Sequence, residues 1–227
     1  MLLTMAGLNA QPLLYDFFAE SNASNSSENT GVAVSGSVIV DTTLGTVKIT
    51  INNLAGTAKS GGGNYGPGDI VAFGFHDSTD SSGANSLIFG LTSDTTGEDW
   101  SPVDPFTQMW AAGQPYYGAE ADNKGDAPGN PTSDAIADGE MGVMFTFTTA
   151  DLVGLGNVAA YWAGNDSENW SSSNPSADML FRLQSTDDGG SEKLAVNLVE
   201  VPEPSTYGLF GAAALTALIA FKRFRRK

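Results

Sequence analysis

The stretch Thr46–Leu54, TVKITINNL, decides the period of the fold. Val47, Ile49 and Ile51 fall on one side of an extended chain, and Lys48, Thr50 and Asn52 on the other. Strict alternation marks a strand with one buried and one wet face, because successive Cβ atoms point to opposite faces. Just before it, DTTLG (Asp41–Gly45) is a hairpin-sized loop with glycine where positive φ is needed. GVAVSGSVIV (31–40) then supplies the partner strand.

The same period recurs outward from this hairpin. Val71, Phe73 and Phe75 alternate with Ala72, Gly74 and His76 in DIVAFGFH, and GEMGVMFTFTT sets Met141, Val143, Phe145 and Phe147 on one face. NVAAYWAG offers Val158, Ala160 and Trp162; DMLFRLQ offers Met179, Phe181 and Leu183; KLAVNLV offers Leu194, Val196 and Leu198. With NSLIFGL (85–91) these make about eight strands, a usual number for two packed sheets. One short helix is expected at TTADLVGLG, capped by Thr149 and ended by Gly154 or Gly156. No other helical period precedes the carboxyl end, which argues against a parallel α/β sheet. The expected fold is all-β: an antiparallel, jelly-roll-like β-sandwich over residues 11–200, followed by a single short C-terminal transmembrane helix.

Between the strands lie long polar stretches. Residues 92–140 are the largest, and a loop of that length is unusual inside a compact domain. It holds Trp100, Trp110, Tyr116 and Tyr117, so it is expected to pack as a cap or to carry short strands.

The 227 residues suffice for one domain with a real core, and a mean hydropathy of -0.10 argues against a polytopic membrane protein. Twenty-seven glycines suit a turn-rich β domain. The net charge is -16, but half of the ten basic residues lie in the last six positions: Lys222, Arg223, Arg225, Arg226 and Lys227. Through Val201, five basic residues stand against 25 acidic ones. Such a surface repels phosphate backbones, so no nucleic-acid partner is expected. Acidity of this kind also keeps an exported protein soluble. There is no cysteine, which excludes disulfides, thiolate metal sites and cysteine nucleophiles.

His76 is the single histidine, and Asp77 and Ser78 follow it. Neighbouring strand residues point apart, so this adjacency is poor triad geometry, and no G-x-S-x-G turn is present. Carboxylate pairs such as Glu98–Asp99 or Asp138–Glu140 are too common here to single out a hydrolase, and no catalytic activity is expected. Asp122, Asp126, Asn130, Asp134 and Asp138 recur every four residues among turn formers, a possible set of oxygen ligands for Ca²⁺. They do not match an EF-hand loop, and solvated turn acids are the plainer reading. Trp100, Trp110, Tyr116 and Tyr117, with Trp162 and Trp170, invite a carbohydrate-binding reading through ring stacking. Four tryptophans in a domain of this size are more often core and loop anchors. The sequons NAS, NSS, NDS and NWS carry weight only in a eukaryotic secretory protein.

Residues 1–10, MLLTMAGLNA, read as the back half of a secretory signal peptide, with a cleavage position near Ala10–Gln11 and without a basic leader. One explanation of the shortness is a start assigned too far downstream. The plainer reading is an apolar amino-terminal strand in PLLYDFF.

The carboxyl end reads VPEPSTYGLFGAAALTALIAFKRFRRK (201–227). Tyr207–Phe221 forms an apolar run of 15 residues, roughly 22 Å as a helix, against the roughly 20 residues a comfortable span needs. It is apolar all round, which disfavours a surface helix, and the basic end orients it with the acidic body outside.

Pro202-Glu203-Pro204, the short apolar span and the Arg-rich end, in that order at the terminus, resemble a PEP-CTERM sorting signal. The resemblance implies an exported protein of a Gram-negative bacterium, with Pro202, Glu203 and Pro204 as the motif recognised by an exosortase and cleavage near it. It also implies an inner-membrane precursor and a destination at the cell surface or in an exopolysaccharide or biofilm matrix. FRLQSTDDGGSEKLAV (181–196) is similar to the closing strand-turn-strand of other bodies of this kind. The expected function is a surface or matrix protein without catalytic activity and without a cofactor. The alternative is a carbohydrate- or calcium-binding module with the same address.

Overall fold

The computed structural model describes residues 12–76, 90–103, 116–121, 134–148, 177–186, 190–201 and 221. Those residues hold eleven strands: β1 (Leu13–Glu20), β2 (Ala33–Asp41), β3 (Thr46–Asn53), β4 (Asp69–His76), β5 (Gly90–Asp94), β6 (Trp100–Val103), β7 (Tyr116–Ala121), β8 (Val143–Thr148), β9 (Met179–Gln184), β10 (Ser191–Val196) and β11 (Val199–Glu200). Of the helix expected at 148–156 only Thr148 is described, as the last residue of β8, and the strand expected at 157–164 and residues 85–89 fall outside the described residues.

The strands form two antiparallel sheets, ordered β11-β1-β2-β3-β8-β5 and β10-β9-β4-β7-β6. The expected sandwich is present. It opens with the β1–β2–β3 meander, after which the chain passes repeatedly between the sheets. Residues 92–140 do carry short strands, β6 and β7 and the end of β5. PLLYDFF contributes β1, and the expected strand-turn-strand near the carboxyl end is the β9–β10 hairpin, with Gln184 opposite Ser191.

The Asp41–Gly45 loop closes β2 on β3 as its composition dictates. The Asp41 carboxylate accepts the amides of Thr43 and Leu44, and Gly45 takes φ +66°. In β3, Val47, Ile49 and Ile51 are buried while Lys48 is exposed. Gly36, opposite both Phe17 and Ile51, marks a close approach: a Cβ there would lie 1.9 Å from the Thr50 carbonyl oxygen.

Two alternations depart from expectation. In β4 the pairing with β9 slips between Ile70 and Ala72, so Val71 is the extra residue of a bulge. The core-facing set is therefore Ile70, Phe73 and Phe75, not Val71, Phe73 and Phe75. In β8, Val143, Phe145 and Phe147 are buried as expected, but Met141 is exposed because the strand begins only after Gly142 at φ +74°.

The core lies between the sheets and is centred on Phe73. Its ring stands 4.7 Å from Phe145, 6.1 Å from Phe147, 6.2 Å from Phe181 and 6.1 Å from Trp100. These rings come from β4, β6, β8 and β9, so one side chain joins both sheets.

Polar side chains, the buried Asn53 first among them, fasten the loops at the end of the sandwich where β1 and β3 finish. Asn53 Nδ2 donates to the carbonyls of Gly68, Ile136 and Ala137, and its Oδ1 accepts the Ala55 amide. Asp138 accepts the Gly68 amide, and Asp69 accepts the Asp138 amide. Burial, and then the Asp138 charge, push the Asp69 carboxyl above its ordinary range.

Candidate functional site

The last described strand, β11, leads directly into the Pro-Glu-Pro triplet, and the β9–β10 hairpin precedes it. After Val196 the chain crosses from one sheet to the other through Asn197 and Leu198. Asp178, buried just ahead of β9, pins this crossover: its carboxylate accepts the Leu198 amide at 2.8 Å. Val199 and Glu200 then pair with Asp16 and Tyr15 at the edge of the six-stranded sheet. The Val201 amide donates to the Leu14 carbonyl at 2.9 Å, and Pro202 follows without a spacer.

This edge is acidic. Burial raises the pKa of the Tyr15 hydroxyl, and the carboxylates of Glu200 and Asp178 raise it further. Val199 and Glu200 are both exposed, so β11 holds to β1 through backbone and not through packing.

One edge of the five-stranded sheet, β10, is closed by the β1–β2 loop. The Ser27 amide donates to the Lys193 carbonyl, and the Ala195 amide to the Asn25 carbonyl. Glu192 is fully buried, and its carboxylate accepts the amides of Glu28, Asn29 and Thr30 and the Thr30 hydroxyl. Burial alone would raise its pKa, but these hydrogen bonds, with the Ser26 hydroxyl, outweigh burial and lower it. Sequence reasoning missed Glu192, since an acid in SEKLAV reads as a surface residue. Its parity with Leu194 and Val196 was the available signal.

The other candidates are placed as follows. Trp100 is 8% exposed, its ring 4.9 Å from Phe145 and its indole donating to the Asp134 carbonyl at 2.8 Å. It is a core and loop anchor, and its faces are not offered to a sugar. Tyr116 and Tyr117 lie on β7 opposite His76 and Phe75. Asp134 is buried and Asp138 exposed; among the described residues no three His, Cys, Asp or Glu converge on a metal position. Trp110, Trp162, Trp170, Asp122, Asp126 and Asn130 lie outside the described residues, as do Pro202, Glu203, Pro204 and the basic end from Lys222. Among the described residues no helix is long and apolar enough to cross a membrane; of the expected span 207–221, only Phe221 is described.

A β-sandwich whose closing edge strand runs straight into a Pro-Glu-Pro triplet, an apolar run and a basic end is a folded body carrying a terminal address. Residues 200–227 match the PEP-CTERM protein-sorting motif, so the chain carries that motif from the second residue of β11 onward. Compared with curated proteins and with solved structures, the chain finds no match. The motif implies export, a membrane-anchored sorting precursor in Gram-negative bacteria and processing by an exosortase.

Proposed function

We propose that the chain is an exported, non-catalytic surface or matrix protein, delivered by its sorting tail and released by an exosortase near Pro202-Glu203-Pro204. The carrying observation is the match of residues 200–227 to the sorting motif, beginning where the body ends. The span at 207–221 serves as a temporary anchor, being short for a permanent one. Lys222, Arg223, Arg225, Arg226 and Lys227 hold its orientation. The destination is the cell surface or an exopolysaccharide matrix.

The use of the buried polar groups supports a structural body. Glu192, Asn53 and Asp178 are each spent on backbone groups of the loops they fasten.

Mass spectrometry of the mature carboxyl end, in a host possessing the exosortase, tests the proposal. The expected product lacks Ser205 onward. An intact tail held in the inner membrane of that host would replace processing with plain anchoring.

A further inference from the structure

The motif and the fold compete for the same few residues. Val201 is hydrogen-bonded to Leu14 in the sheet, and Pro202, the first residue of the triplet, is its direct neighbour. Recognition of a peptide segment commonly takes it as extended backbone, through main-chain hydrogen bonds. With β11 docked, the residues on the amino side of the triplet are already sheet: Val199 and Glu200 lie against Asp16 and Tyr15. They are therefore engaged by β1 and not free to be bound elsewhere.

The attachment is built to open. β11 spans two residues, both side chains are exposed, and what holds it is edge pairing plus the Val201 bond. Short, exposed edge elements open far more readily than a core strand. The chain behind it does not open with it, because the Asp178 carboxylate holds the Leu198 amide and β10 is fastened to both β9 and the β1–β2 loop. Peeling thus stops at Leu198 and frees three residues ahead of the triplet.

From this geometry we infer that β11 is a strap, and that its release from β1 admits the sorting motif to the exosortase. Docked, the strap withholds the motif; peeled, it presents residues 199–201 as the extended approach to Pro202. This inference rests on the sorting reading given above and adds the step that governs it.

The chain has no native cysteine, so the strap can be locked with one engineered bridge. Asp16 and Val199 are directly paired and both exposed. The Cα spacing of paired antiparallel strands, about 4.5–5.5 Å, lies within the disulfide range. The full chain with Asp16→Cys and Val199→Cys together is produced in a host with the exosortase, and the intact mass of its carboxyl end is measured.

The bridged chain is expected to keep its tail, with processing slowed at least tenfold. Either single variant, or the double variant grown under reductant, is expected to be processed like the parent. Inserting eight Gly/Ser residues between Val201 and Pro202 adds roughly 16 Å of flexible reach. That insertion should restore processing of the bridged chain, which a misfolded body would not allow.

Processing of the bridged chain at the parent rate overturns the strap while leaving the sorting reading intact. So does failure of the insertion to rescue. A parent chain left unprocessed in the same host overturns the sorting reading, and the strap falls with it.

Discussion

β10 and β11 follow each other in the chain and each ends a sheet, yet they are held in opposite ways. β10 has six residues paired with β9, and its outer edge is closed by Asn25, Ser27 and the buried Glu192 carboxylate. β11 has two exposed residues and the Val201 bond. The difference shows where the body ends in energetic terms. As far as Leu198 the chain is fastened by buried groups, and beyond it by exposed backbone.

The largest expected effect tests whether both edges depend on one core. Phe73→Ala removes the ring shared by both sheets and should lower stability by about 3–5 kcal/mol, read by urea denaturation. Two separate unfolding steps would show that the edges belong to independent units and would break the comparison.

Glu192→Gln comes next. It keeps the shape but discards the charge that gathers three amides and a hydroxyl, and should cost about 1–3 kcal/mol. Hydrogen exchange should quicken at Glu28, Asn29 and Thr30 and stay unchanged at Val201. Equal quickening at both places would mean that the two edges are coupled.

Acid should act through the same group. Glu192 titrates below its ordinary range when folded, so its contribution is complete above the ordinary glutamate pKa. It is lost as pH falls through the lower, folded value. Asp69 has the opposite sign: its raised pKa means that its charge opposes folding at neutral pH and that acidification relieves the cost. Denaturation series across the acid range should therefore show a shallower loss in Glu192→Gln and a steeper one in Asp69→Asn.

The smallest effect belongs to the strap. Val199→Ala removes an exposed side chain and should shift stability by less than about 0.5 kcal/mol. A loss of several times that would show β11 to be a structural strand, and would remove its contrast with β10.

Much of this was legible in the sequence where one face is wet and the other dry. Val47, Ile49 and Ile51 declared β3, because burial and period agree there; in β9 the alternation found Met179, Phe181 and Leu183, but Leu180 and Gln184 on the other face are buried as well. What escaped depends on partners far away in the chain. The bulge at Val71 is a matter of register against β9, which one strand's own pattern does not record. Nothing within TVKITINNL sets Asn53 apart, and its role depends on the carbonyls of Gly68, Ile136 and Ala137 that surround it. β11 is too short to show any period. For the junction, the sequence displayed the Pro-Glu-Pro triplet but not the hydrogen bond one residue before it.

The placement of β11 also sets an order of events. A chain threaded through an export channel arrives amino end first, and the β1–β2–β3 meander is complete within the first 53 residues. Glu192 must wait: its bonds to the β1–β2 loop span 162–164 residues. Until Val199–Val201 emerge, the outer edge of β1 stands open to any neighbouring strand, the hazard that exposed edges carry. The residues that close it are the last before the sorting triplet. Closure of the edge and arrival of the address are thus one moment of translocation, and a chain that stalls earlier has neither a finished sheet nor a signal to present.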